Sequence, residues 1–129
     1  MSIVTATARL GELNFVTALS ARNHHYVGDE PHEDGGLDAG PSPYELILWG
    51  LAECTAATLR LYAQRKDWQL GAITVAITLE TGTPAQFDIN ISTEHPATPE
   101  QQQRLTAIAQ KCPVHKLLLG EKTMVTTVI

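Results

Sequence analysis

The sequence predicts an α+β fold, with antiparallel strands packed on a buried helix. Three observations carry this. Residues 72–80 (AITVAITLE) and 86–93 (QFDINIST) alternate apolar and polar side chains with the period of a half-buried strand. Residues 43–66 form one long segment that is apolar nearly all round through Leu59. The segment order β-β-β-α-β-β-α-β groups strands together instead of alternating each with a helix.

The elements follow in chain order. Residues 3–9 (IVTATAR) alternate and read as a first strand, and residues 13–21 (LNFVTALSA) as a second. Arg22 and Asn23 form a turn, and His24 to Gly28 returns as a third strand. Residues 29–41 hold three glycines, two prolines and five carboxylates, so they form a loop. It is long for a compact domain, and such loops are often functional; closure over a ligand is one reading and a solvated acidic loop the other.

Ser42, Pro43 and Glu45 then give a helix start. Serine caps, proline takes the first helical position, and Glu45 completes an S-x-x-E capping box. The helix runs to Lys66, with Arg60, Arg65 and Lys66 in its last turns, where cations suit the dipole. In 72–80, Ile73, Val75, Ile77 and Leu79 share a face; in 86–93, Phe87, Ile89 and Ile91 do. Thr98, Pro99 and Gln101 repeat the helix-start signal. Leu105, Ile108 and Cys112 line one face of that helix, and Pro113 ends it at Cys112. Residues 123–129 (TMVTTVI) read as a last strand.

Composition bounds the function. At 129 residues the chain is one domain, 1–129, that buries about two-thirds of its unfolded surface and needs no staple to fold. It is 43% hydrophobic and 18% charged, which is globular. The net charge of −5, without a basic patch, argues against nucleic acid as a partner. The alternating N-terminus lacks the charged and apolar regions of a signal peptide. The apolar run from Leu46 is broken by Gly50 and Glu53, so no membrane span is expected. These readings point to the cytoplasm. There thiols are kept reduced, and a cysteine pair is more often catalytic, redox-sensing or metal-binding than structural.

There are two cysteines, 58 positions apart: Cys54 in the long helix and Cys112 at the end of the later one. They are either small core hydrophobes or, if the two helices pack through these faces, a redox pair. Cys112 and His115 (CPVH), with Cys54 and His24, have the donor chemistry for zinc or iron. Only one short pair is present, so neither a metal nor a cofactor is expected.

The strings "DEP…GG.D.GPSPYEL……AECTAATLRLYAQRK.W.L" and "AQKCPVHK" resemble the OsmC/Ohr superfamily, in the branch carrying GPSPYE and CPVH, over roughly residues 24 to 118. The resemblance implies an OsmC-like fold of antiparallel sheets wrapped around a central buried helix, in an intertwined homodimer with sites at the interface. It implies a thiol peroxidase that reduces organic hydroperoxides, in which Cys54 is the peroxidatic thiol and Cys112 resolves it. An external dithiol would then restore both thiols.

A free cysteine titrates at about 8.5, and burial in a helix opposes ionisation. The chemistry therefore needs a cation, which in the family is an arginine held by a glutamate. Arg22, before HHYVGDEP, and Arg9, in TATARLG, are the candidates. The family glutamate follows the helix-opening proline, where this chain has Tyr44; Glu45 comes one residue later. At ~100° per residue Tyr44 lies about 80° from Cys54 and Glu45 about 180° away, so a regular helix points Glu45 away from the thiol, and Glu45 serves as the carboxylate only through a distorted first turn or across a dimer interface. Asp29 and Glu30 are spare carboxylates on the loop. Ile47, Leu51, Leu61 and Leu117 would suit an organic hydroperoxide over hydrogen peroxide. The rival reading is a redox-sensing or small-ligand- or metal-binding dimer without peroxidase activity.

Overall fold

The structure is a computed structural model that describes residues 2–129. The chain divides into two compact units, Met1–Ile47 and Leu48–Ile129.

The first unit is an antiparallel meander of β1 (Thr7–Leu10), β2 (Thr17–Ala21) and β3 (His24–Gly28). The register pairs Ala8 with Leu19 and Leu19 with Tyr26. Ala21 pairs with His24, so Arg22 and Asn23 alone make the turn. Arg22 has φ 55, at a hairpin position where glycine is favoured.

The loop that follows is organised by Asp29, which is buried. Its carboxylate accepts hydrogen bonds from the N–H groups of Glu30 (2.7 Å), Leu37 (3.1 Å) and Ala39 (3.0 Å). Burial pushes the Asp29 pKa up, but the N–H groups of Ala39, Glu30 and Leu37, with His32 nearby, hold it below the usual value. Asp29 is thus not a spare carboxylate. Two glycines let the loop close. A Cβ on Gly36 would overlap the backbone of Glu30, and one on Gly40 the carbonyl of Val27.

Helix α1 (Pro43–Lys66) starts as the sequence indicates. Glu45 N–H donates to Ser42 Oγ (3.3 Å), and Ser42 N–H donates to Glu45 Oε1 (2.8 Å). In the second unit, β4 (Ile73–Glu80) and β5 (Gln86–Thr93) form a hairpin that pairs Val75 with Ile91, Ile77 with Ile89 and Leu79 with Phe87. Helix α2 (Pro99–Ala109) opens with the expected capping box of Thr98 and Gln101, and α3 (Pro113–Leu119) follows.

The core gathers Leu59, Ala63, Leu70, Leu105 and Ala109, with Trp68, Ile73, Ile91 and Ile108 packed against it. Burying Leu59 completely contributes about 2 kcal/mol. Tyr62 stands edge-on to Trp68, with ring centres 5.5 Å apart.

Four expectations differ from the structure. The strands begin later than 3 and 13, because Ile3 and Val4 are exposed without a strand partner and Leu13 to Val16 form a turn. Residues 123–129 form no strand: Met124, Val125 and Val128 lie open, and an alternating segment becomes a strand only with a partner. Helix α2 ends at Ala109 instead of Cys112, because the N–H groups of Lys111 and Cys112 bond back only three residues, to Ile108 (2.9 Å) and Ala109 (3.3 Å), and tighten the last turn before Pro113. Helix α1 buries only the stripe Leu51, Thr55, Leu59 and Ala63, leaving Tyr44, Ile47, Trp49 and Leu61 exposed.

Candidate functional site

Three local features build the site in the second unit. The first is the middle of α1, where threonines flank Cys54. Thr55 is completely buried, and its hydroxyl donates to the Leu51 carbonyl (2.8 Å). Thr58 donates likewise to the Cys54 carbonyl (2.8 Å). Such back-bonding lets a hydroxyl sit on the buried side of a helix without losing its partner.

The second feature is the break between α2 and α3. Cys112 takes an extended conformation (φ −55°, ψ 130°), Pro113 opens α3, and the Cys112 sulfur accepts the His115 N–H (3.5 Å). Cys112 is therefore the N-cap of α3, a role usually taken by a hydroxyl or carboxylate.

The third feature is the meeting of the two cysteines. Both are free, Cys54 half-buried and Cys112 buried, and the two side chains lie near enough that each shifts the other's ionisation. The partners around them are neutral: the N–H groups of Val114 and His115 and the hydroxyls of Thr55 and Thr58.

These partners act unequally on the two sulfurs. Burial pushes the Cys54 thiol up, Cys112 pushes it further, and Val114 and Thr58 only partly offset this. Burial also opposes ionisation of Cys112. There the Cys54 thiol, the N–H groups of His115 and Val114, and Thr55 win, and Cys112 is held below the ordinary value. The two sulfurs are thus shifted in opposite directions, Cys54 up and Cys112 down. The two titrations belong to the pair jointly.

The structure brings Cys54 and Cys112 together. Arg22, Arg9, Tyr44, Glu45, Asp29 and Glu30 belong to the first unit. Arg22 is exposed in its turn and Arg9 on β1. Glu45 is held below the usual carboxylate range by the backbone and side chain of Ser42. The capping box accounts for its place in the chain. No group of three or more His, Cys, Asp or Glu side chains is gathered as a metal would require, among the described residues.

Thr55, Thr58 and the Val114 and His115 N–H groups were not singled out from sequence. The signal for the N–H groups was Cys-Pro, which can open a helix as well as end one. The two threonines carried no such signal.

An α+β fold that brings two free cysteines together defines a dithiol protein. Comparison then gives the family. The family model for OsmC-like protein matches residues 34–128, and the chain belongs to that family. Solved structures agree in fold. A protein from Psychrobacter arcticus 273-4, named for osmotic stress induction and detoxification response, is 21% identical, with 91% of this chain and 89% of that chain covered and a TM-score of 0.76. An OsmC-like protein from Mycoplasma pneumoniae is 21% identical, covering 92% and 89%, with a TM-score of 0.73. The organic hydroperoxide resistance protein OhrB of Bacillus subtilis is 21% identical, covering 92% of each chain, with a TM-score of 0.61. A search of curated proteins returns no match.

Proposed function

We propose that the protein is a thiol-dependent peroxidase that reduces organic hydroperoxides through Cys54 and Cys112, as part of a response to oxidative stress. The observation that carries this is the meeting of the chain's two cysteines across 58 positions of sequence. The organic hydroperoxide resistance protein of Bacillus subtilis, alike in fold, supports the substrate class.

In this reading the Cys54 sulfur attacks the terminal peroxide oxygen, the O–O bond breaks, and the departing alkoxide takes a proton to become the alcohol. Cys112, as thiolate, accepts the Cys54 proton as attack begins. Cys54 is left as a sulfenic acid. Cys112 attacks that sulfur, hydroxide leaves and is protonated to water, and a disulfide joins the pair. An external dithiol reduces it. Arg22 is the cation proposed to favour a Cys54 thiolate, and since the capping box keeps the first turn of α1 regular, Glu45 would orient it across the dimer interface.

The working form is a homodimer with one domain per chain. The exposed Ile47, Trp49 and Leu61 on α1 and the open 123–129 segment support this, since apolar surface of this kind is normally covered. A dithiol cycle suits the reducing cytoplasm.

The raised Cys54 pKa and the presence of Tyr44 in place of the family glutamate favour a second reading. In it the pair is a redox sensor or a small-ligand site in a dimer without peroxidase turnover.

The test is intact mass and free-thiol count after one equivalent of an organic hydroperoxide, on wild type, Cys54→Ser and Cys112→Ser. The peroxidase reading expects rapid loss of both thiols in wild type, a trapped sulfenic acid in Cys112→Ser and no reaction in Cys54→Ser. Slow, equal oxidation of both cysteines overturns it in favour of the sensor.

A further inference from the structure

A redox cycle through this pair, which rests on the reading above, must reopen the Cys54–Cys112 disulfide. The two sulfurs offer a reductant very different targets. Cys112 is 0% exposed within its own chain, a burial that any assembly keeps, whereas Cys54 is only half-buried there. Their surroundings also differ. Cys112 caps α3, and its sulfur is already the acceptor for the His115 N–H. Cys54 lies mid-helix, where the nearby N–H groups of α1 are committed to the helical ladder, so the Val114 N–H is the backbone donor near it.

Thiol–disulfide exchange is governed by which sulfur can be reached and which thiolate leaves more easily. Both criteria select the same direction here. We infer that the reducing thiol attacks Cys54 Sγ and expels Cys112 Sγ, so that regeneration passes through a mixed disulfide on Cys54.

The step balances as follows. One thiolate of the external dithiol forms a sulfur–sulfur bond with Cys54. The Cys54–Cys112 bond breaks, and its electron pair goes to Cys112, whose charge the His115 N–H receives. The reductant's second thiol, deprotonated, attacks its own bridged sulfur. This closes a disulfide within the reductant and releases Cys54, which takes up the proton. The protein gains two electrons and the dithiol loses two. The lowered pKa of Cys112 supports the same choice of leaving group. One consequence is that peroxide and reductant meet the same sulfur and must take turns at it.

The two cysteines fall on separate tryptic peptides, since Lys111 and Lys116 bracket CPVHK, and Cys54 lies between Arg22 and Arg60. Wild-type protein is oxidised with diamide, which forms the disulfide without any peroxidase activity. It is then exposed briefly to glutathione, quenched with an alkylating agent and mapped by mass spectrometry. The expected result is glutathione on the Cys54 peptide and alkyl label on Cys112, exceeding the reverse pattern by at least about tenfold. Glutathione on Cys112, or equal labelling, overturns the inference and leaves the redox pair standing. Failure of diamide to link the cysteines overturns the pair itself, and the inference with it.

Discussion

Replacing Cys112 tests how the site is built, apart from its redox chemistry. Its sulfur is completely buried and caps α3. Cys112→Ala deletes one buried heavy atom, at a cost of about 1 kcal/mol by analogy with Ile→Val. It also strips the acceptor from the His115 N–H, and losing an N-cap costs about 1 kcal/mol. Together these come to ~2 kcal/mol. With an unfolding entropy of about 2.1 cal/mol/K per residue over 129 residues, Tm should fall by ~7 °C. Cys112→Ser restores a capping oxygen, and serine is among the best N-caps, so its fall should be about half as large. Calorimetry of the reduced proteins at one fixed concentration makes the comparison, since assembly makes Tm concentration-dependent. An alanine variant melting within about 1 °C of wild type refutes the reasoning. Equal losses in the two variants refute the capping part alone.

Three further predictions concern the first unit and the assembly. Arg22→Gly removes the proposed cation at a left-handed position, so stability should hold or rise by up to about 1 kcal/mol while the peroxide reaction slows roughly tenfold or more. Unchanged peroxide kinetics in a stopped-flow assay would exclude Arg22. The folded pKa of Asp29 lies below its unfolded value of about 3.9, so its stabilisation is present above that pH and is lost as pH falls towards the folded value. Asp29→Asn should therefore melt below wild type at neutral pH, with the gap closing on acidification; a pH-independent gap would rule out the charge as its cause. Sedimentation velocity should give a dimer, and lysine at both Ile47 and Trp49 should shift it to monomer. A wild-type monomer at every concentration tested would remove the dimer from the proposal.

The parts of the fold that the sequence foretold are those that depend on local chemistry. The capping boxes at Ser42 and Thr98 form as read, because they are made within four consecutive residues. The β4–β5 hairpin is found almost to the residue, since two alternating segments joined by a short turn can pair with each other. What failed depends on partners. Residues 123–129 have the pattern of a strand but nothing alongside them, and α1 has the composition of a buried helix but covers only one stripe. Pro113 stops one helix and also starts the next, which hides α3 and its cysteine cap from the pattern. At the site, the family resemblance joined Cys54 to Cys112, because spacing alone leaves open whether two helix faces meet. The unequal electrostatics of the two sulfurs depend on Thr55, Thr58 and two backbone N–H groups, of which only the N–H groups had a sequence signal, the Cys-Pro that opens α3.

Residues 29–41 look permissive in composition, being polar, acidic and rich in glycine. The closing of this loop around Asp29 reverses that expectation. A saturation library should show Gly36 and Gly40 as nearly empty columns, because any side chain there would enter space held by the backbone of Glu30 or Val27. Glu33 and Asp34, which are exposed, should accept most replacements. Tolerance to substitution would then alternate within a single loop, and homologues could drift freely in its charge while keeping its two glycines.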